Sequence, residues 1–145
     1  MITAETVNRI LQLNGDGLPL MSVYLQAPVD PGERGDLLGR LNGVLDEVEP
    51  MSKDKSVDRA TRLSLRGDME RMREAVKTEH WRPGTVVFFS CSARDLFEAV
   101  QLPRAVRDRV VLEDTPWVRP MLAVLEEYTR CCVAVVDRAK AEVWE

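Results

Sequence analysis

The stretch TVVFFSC, residues 85–91, is the part of this sequence that says most about the fold. It is a continuous run of β-branched and aromatic residues. It lacks the alternation of apolar and polar residues that is typical of a strand with one face in water. Pro83-Gly84 comes directly before the run and turns the chain into it. The run therefore predicts a central strand that is buried on both faces of a sheet.

Two amphipathic patterns precede this strand. Apolar residues recur at helical spacing over about residues 36–48, and again over residues 57–78. Glu49-Pro50 is predicted to end the first helix, because proline disfavours the helical conformation for the residue before it. Residues 51–56 are then a short polar connection. Gly67 lies inside the second helix, where glycine costs about 1 kcal/mol relative to alanine.

The flanking segments complete the predicted order of elements. Before the two helical patterns, the sequence predicts a helix capped by Thr3, a strand over residues 20–25 and a loop over residues 28–35. After the central strand, it predicts strands at 96–102 and 109–112 and a helix at 117–128. This order predicts an α+β domain, with helices packed on a mixed or antiparallel sheet. We expect residues 1–130 to form that domain. Residues 131–145 are interpreted as a β-hairpin that begins a second, truncated domain, because an isolated hairpin is marginal in water.

Composition and charge narrow the classes of function. The chain of 145 residues has 45% hydrophobic and 30% charged residues, which is ordinary for a soluble globular protein. The formal net charge of −4 argues against indiscriminate coating of nucleic acid, so any contact with RNA must come from a local patch. No apolar run approaches the ~20 residues that span a membrane, and the N-terminus lacks a secretory signal. We therefore expect a cytoplasmic protein with no membrane partner.

Residues that could carry catalysis are few. His80 is the one histidine, in a predicted loop, and Cys91 ends the apolar strand. The sequence allows a Cys-His nucleophile pair, but nothing near either residue supports one. Cys131 and Cys132 are adjacent in an apolar run, and all three cysteines are interpreted as buried, reduced thiols. No glycine-rich phosphate loop is present. We expect no enzymatic activity, no metal and no cofactor.

One polar feature has a regular spacing. Basic residues recur every three or four positions from the polar connection into the second long helix, which places them in one row on a helix surface. Arg73 extends the row one heptad further. A basic row that starts at the beginning of a helix could follow a nucleic-acid backbone. The candidate RNA-binding residues are Lys53, Lys55, Ser56, Arg59, Arg62 and Arg66.

Interleaved acidic residues support a second interpretation of the same row. Asp58 with Arg62, and Arg66 with Glu70, are spaced four residues apart, as in helix-stabilising ion pairs. Asp68 also lies among these acids and is expected on the same solvated face. Such pairs would reduce the positive potential and leave an ordinary solvent-exposed helix surface.

The ordered set of elements resembles domain one of the archaeal and eukaryotic class-one peptide chain release factors, in particular the bacterial branch of that family. The match covers roughly residues 18–145. SVYL at 22–25 with the loop and helix after it resembles the opening of that domain. RPGTVVFF at 82–89 and LEDTPW at 112–117 resemble its Pro-x-Gly-hydrophobic strand and its closing segment. Residues 132–144 resemble the first hairpin of the middle domain.

The resemblance implies a role in translation. Domain one of the family reads stop codons through an Asn-Ile-Lys-Ser loop; here KDKS at 53–56 keeps the Lys-Ser pair but not the Asn-Ile pair. A second decoding motif, Tyr-x-Cys-x-x-x-Phe, would fall on Val111, Glu113 and Trp117, which keep only the aromatic residue. The family's catalytic Gly-Gly-Gln loop belongs to the middle domain, beyond Glu145. The expected function is a non-catalytic domain that positions a release-factor-like or ribosome-rescue protein on the ribosome or its RNA.

The alternative is a protein–protein interaction or structural module that has lost any translation role. The predicted C-terminal hairpin motivates this alternative, since the open edge of a strand invites pairing with another chain. A homodimer through residues 131–145 is the partner that this alternative implies.

Overall fold

The predicted central strand is one of the two inner strands of a four-stranded sheet. A computed structural model describes residues 3–27, 37–78 and 80–127. The sheet order is β3-β2-β1-β4, and every neighbouring pair is antiparallel. The α+β fold with an antiparallel sheet is therefore confirmed. The strands are β1 (Leu20–Ala27), β2 (Gly84–Cys91), β3 (Leu96–Leu102) and β4 (Arg109–Glu113).

Helices cover both faces of this sheet. α2 and α4 contribute to one apolar cluster against the sheet, while α1 and α5 contribute to the other. The helices are α1 (Ala4–Leu11), α2 (Leu37–Leu45), α3 (Glu49–Lys53), α4 (Arg59–Thr78) and α5, described over residues 119–127.

The two-sided burial explains why residues 85–91 contain no polar alternation. Successive side chains of a strand point to opposite faces. Phe88 belongs to the cluster with α2 and α4, and Phe89 belongs to the cluster with α1 and α5; both are fully buried. Val23 and Tyr24 alternate in the same way on β1. Burying a side chain of this size contributes about 1.5–3 kcal/mol, so both inner strands require apolar residues at successive positions.

The prediction around Pro50 was wrong. Pro50 lies in the first turn of the short helix α3, and α2 ends earlier, at Leu45. Proline is tolerated there because the first N–H groups of a helix have no partner within the helix. Residues 51–53 are therefore helical rather than part of a polar connection. This helix places Lys53 in a groove that is also lined by Arg66 and Glu70 of α4.

Some predicted features lie outside the described residues. These are the loop over residues 28–35, the hairpin over residues 131–145, Cys131 and Cys132, and with them the second domain and the homodimer through that hairpin. They remain predictions.

A buried polar group joins α4 to the 3₁₀ turn after β2, Ser92–Arg94. Asp68 of α4 is fully buried, which corrects its assignment to a solvated face. Its Oδ1 accepts hydrogen bonds from Ser90 Oγ at 2.6 Å, Ser92 N at 2.8 Å and Ser92 Oγ at 2.9 Å. Its Oδ2 is buried and has no partner in the described part of the chain. Burial raises the pKa of this carboxyl, and the three hydrogen bonds oppose that increase.

Gly67 permits this contact. A Cβ at position 67 would lie 2.8 Å from both Cβ and Oγ of Ser92, closer than real Cβ atoms come to such neighbours. The glycine that seemed only to weaken the helix is thus the residue that lets α4 approach the turn. The contact fixes the position of α4, whose first two turns carry the arginines.

Candidate nucleic-acid interface

Three of the predicted residues form a continuous surface on the first two turns of α4. Arg59, Arg62 and Arg66 line a shallow depression of about 280 Å³ together with Leu63. We call these four residues the basic face. The spacing predicted that the arginines would lie in one row, and the structure brings them together.

The start of α4 is fixed by an acidic cap. Asp58 accepts hydrogen bonds from Thr61 N at 3.1 Å and from Thr61 Oγ1 at 2.7 Å, and the first of these satisfies one N–H donor of the first turn. These hydrogen bonds, and to a smaller extent the charge of Arg62, hold the pKa of Asp58 below its usual range. The helix therefore begins at Arg59 rather than at the predicted Val57.

Two of the arginines are held in place by backbone carbonyl groups. Arg62 Nε donates to the carbonyl oxygen of Val57 at 3.0 Å, and Arg66 Nε donates to the carbonyl oxygen of Ser52 at 3.0 Å. The terminal guanidinium nitrogens of both side chains make no hydrogen bond or ion pair within residues 37–78 or the other described segments. Fixing a long side chain before it binds lowers the entropy lost on binding.

The ion pairs predicted to neutralise the row are not formed. Neither Asp58–Arg62 nor Arg66–Glu70 is among the ion pairs of the described residues. Asp58 instead caps the helix through Thr61, and Arg66 turns towards α3. The local side-chain-to-backbone hydrogen bonds outcompete the exposed pairs, which contribute only about 0.3–0.5 kcal/mol on a helix.

The other three predicted residues lie on α3 and on the turn before α4. Lys53 forms an ion pair with Glu49 at 3.3 Å, which reduces its availability to a ligand. Ser56 donates from its backbone N at 2.9 Å and from its Oγ at 2.7 Å to Asp54 Oδ1, and these bonds lower the pKa of Asp54. Lys55 is exposed in this turn. The Lys-Ser pair therefore consists of an exposed cation and a serine that stabilises a turn.

Sequence reasoning missed one member of the basic face and misplaced another residue. Leu63, which was not among the predicted residues, is 50% exposed between the arginines. Its spacing of four from Arg59 could have revealed it. Arg73 does not extend the basic face, because its Nε donates to Asn42 Oδ1 of α2 at 2.8 Å. Arg73 therefore supports the contact between α2 and α4.

The residues considered for catalysis lie in unlike environments. Cys91 is fully buried and unpaired, as predicted, whereas His80 is exposed. Within residues 3–27, 37–78 and 80–127, no group of three or more His, Cys, Asp or Glu side chains is placed to hold a metal ion. No helix in those segments is both long and apolar enough to cross a membrane.

No protein-family model and no curated protein matches this chain.

Proposed function

We propose that this chain is a non-catalytic, cytoplasmic module that binds RNA through the basic face and positions a release-factor-like or ribosome-rescue protein on the ribosome. One observation carries the proposal. Arg59, Arg62 and Arg66 lie side by side on one helix, and two of them are held by backbone carbonyls with their terminal guanidinium nitrogens unpaired among the described residues. The translation role rests on the resemblance to class-one release factors.

The dimensions and chemistry of the basic face suit a phosphate backbone. Residues 59 and 66 are about 10 Å apart along the helix, at a rise of about 1.5 Å per residue. Guanidinium groups bind phosphate oxygens through paired N–H donors, and they keep their charge at every physiological pH. With Lys55 in the preceding turn, the surface offers three or four phosphate contacts within a chain whose net charge is −4. Such a patch binds locally and not indiscriminately.

Salt dependence tests the proposal first. We expect the chain to co-sediment with bacterial ribosomes at ~50 mM salt and to bind much more weakly at ~200 mM, because each phosphate contact contributes about −0.7 to −0.9 to the slope of log affinity against log salt. Three or four contacts give a total slope of roughly −2 to −4. Absence of pelleting at both salt concentrations would contradict RNA binding by this chain.

Charge reversal then tests the residues. The double variant Arg59→Glu, Arg62→Glu is expected to weaken ribosome binding by about tenfold or more, because charge-assisted hydrogen bonds contribute about 1.5–3 kcal/mol each. The matched control is Arg82→Glu, Arg107→Glu, which changes the net charge equally at two exposed arginines outside the basic face. Equal loss in the two double variants would show that binding follows net charge, and the basic face would then have no special role.

A protein partner is the second candidate function. Leu63 favours it, since a half-exposed leucine between arginines suits a surface that is acidic and partly apolar. The variant Leu63→Gln separates the two candidates. Binding through phosphate contacts should be nearly unchanged by this substitution, whereas a protein interface would lose the apolar contact.

A further inference from the structure

The outer edge of β3 has the features of a strand that accepts another strand. β3 pairs with β2 in an unbroken register from Leu96↔Cys91 to Leu102↔Thr85. It ends the sheet, so within the described segments its other edge has no neighbouring strand. Alternate residues of this seven-residue strand point their N–H and C=O groups to the open edge, and such a row is a template for pairing.

The two ends of the sheet differ in how they are protected. β4 is five residues long and begins and ends with charged residues, Arg109 and Glu113. Short length and charge are devices that keep edge strands from pairing. β3 has neither lysine nor proline nor a bulge, and its one charged residue, Glu98, is already bound by Arg9 of α1 through Nε at 2.8 Å and Nη2 at 3.1 Å. β3 is therefore the unprotected edge.

We propose that β3 pairs in antiparallel orientation with β3 of a second copy of this chain, about a two-fold axis at Ala99, so that two four-stranded sheets become one of eight strands. Ala99 is exposed and is the smallest side chain of the strand, which permits close approach at the axis. This register places Glu98 opposite Val100 of the second copy, and Phe97 opposite Gln101 of the second copy. No like charges face each other across this register.

The symmetry has a consequence for the basic face. A two-fold axis perpendicular to the sheet keeps each face of the sheet on its own side. Both α4 helices then lie on the same side of the eight-stranded sheet, because α4 packs on one face in each copy. If the proposed RNA binding holds, two basic faces on one side would act together on one polyanion and raise the apparent affinity without any new contact.

Light scattering after size exclusion tests the pairing. We expect the intact chain to be a dimer, and Ala99→Lys to be a monomer, because the axis places the two lysines about 4.5–5.5 Å apart. Ala105→Lys, an equal change at an exposed loop residue, should leave the dimer intact. An intact chain that is monomeric up to its solubility limit would overturn the proposal, as would a dimer that persists in folded Ala99→Lys.

Cross-linking gives a second readout that does not depend on the stability of the lysine variant. Under mild oxidation, Ala99→Cys should form a disulfide between copies, because paired strand positions lie within the distance that a disulfide spans, and Ala105→Cys should not. Absence of the cross-link in the folded variant would also overturn the pairing. These outcomes do not depend on RNA binding. If the proposed RNA binding is wrong, Arg59→Glu, Arg62→Glu will not change ribosome binding, while the chain is still a dimer.

Discussion

Replacement of Asp68 by alanine is expected to lower the free energy of unfolding by roughly 3 kcal/mol. The substitution removes one carboxylate oxygen that accepts three hydrogen bonds, from Ser90 Oγ and from the N and Oγ of Ser92. The two hydroxyl groups can rotate about their C–O bonds, but the backbone N–H of Ser92 has a fixed direction. Urea denaturation followed by circular dichroism measures the loss as a lower midpoint with an unchanged slope.

Asp68→Asn separates the hydrogen bonds from the charge. The amide keeps an oxygen in the position of Oδ1, so the loss should be clearly smaller than that of the alanine variant. The comparison also depends on pH, because burial raises the pKa of Asp68 above its ordinary value of 3.8. The folded state therefore holds the proton more tightly than the unfolded state. The negative charge of the Asp68 carboxylate therefore destabilises the folded state, and this effect is largest above the folded pKa.

The pH dependence of stability should therefore have a definite sign. The free energy of unfolding of the native protein, relative to that of Asp68→Asn, should increase as the pH falls through the folded pKa towards 3.8. This gain should disappear as the pH rises through the folded pKa. Arg71 is the charged group that opposes this shift, so Arg71→Gln should strengthen the pH dependence. Parallel pH profiles for the native protein and the asparagine variant would show that burial does not penalise the carboxylate.

The elements that follow periodicity were predicted well. The run at 85–91 indicated an inner strand, and the spacing of apolar residues indicated α2 and α4. Both signals are local, because the spacing of apolar residues within an element indicates how many of its faces are buried. β3 and β4 were predicted at nearly their observed bounds for the same reason. The topology β3-β2-β1-β4 was not predicted, since strand order depends on contacts between distant residues.

The errors share a physical cause, which is competition between partners. Pro50 was interpreted as a helix terminator, yet it lies in the first turn of α3, a position that proline suits. Asp58 and Arg66 were assigned to ion pairs, but a capping hydroxyl and a backbone carbonyl bind them instead. Asp68 was placed among solvated acids, and only the position of Ser92 in the folded chain makes it a buried acceptor. A sequence shows the donors and acceptors but not which of them meet.

The three sides of α4 have separate roles. One side carries the apolar stripe against the sheet, a second carries Gly67 and Asp68 against the 3₁₀ turn, and a third carries the arginines. A helix that is fixed on two sides presents the third rigidly. A charged surface that must match spaced phosphates requires rigid support. A mobile site binds more weakly, because it loses conformational entropy when it becomes ordered. The apparent defects of the helix, a glycine and a buried acid, therefore help to position the basic face.

Gly67→Ala is expected to lower the free energy of unfolding by about 1–3 kcal/mol, the usual cost of overpacking. In an unobstructed helix the same change would raise stability by about 0.8–1 kcal/mol. The sign is reversed here because the new Cβ would lie 2.8 Å from both Cβ and Oγ of Ser92, and Asp68 holds Ser92 in place. Gly43→Ala in α2 is the matched control; nothing lies within 4 Å of a Cβ at that position, so it should be stabilising.

A double-mutant cycle with Ser92→Gly isolates the contact. Glycine at position 92 removes both atoms that would meet the new Cβ, so Gly67→Ala should become stabilising, by about 1 kcal/mol, in that background. Gly43→Ala should change the free energy of unfolding by the same amount in the native and the Ser92→Gly backgrounds, since it does not touch the turn. If Gly67→Ala is destabilising to the same extent in both backgrounds, Ser92 is not the obstacle, and α4 is held at its distance from the turn by something other than this glycine.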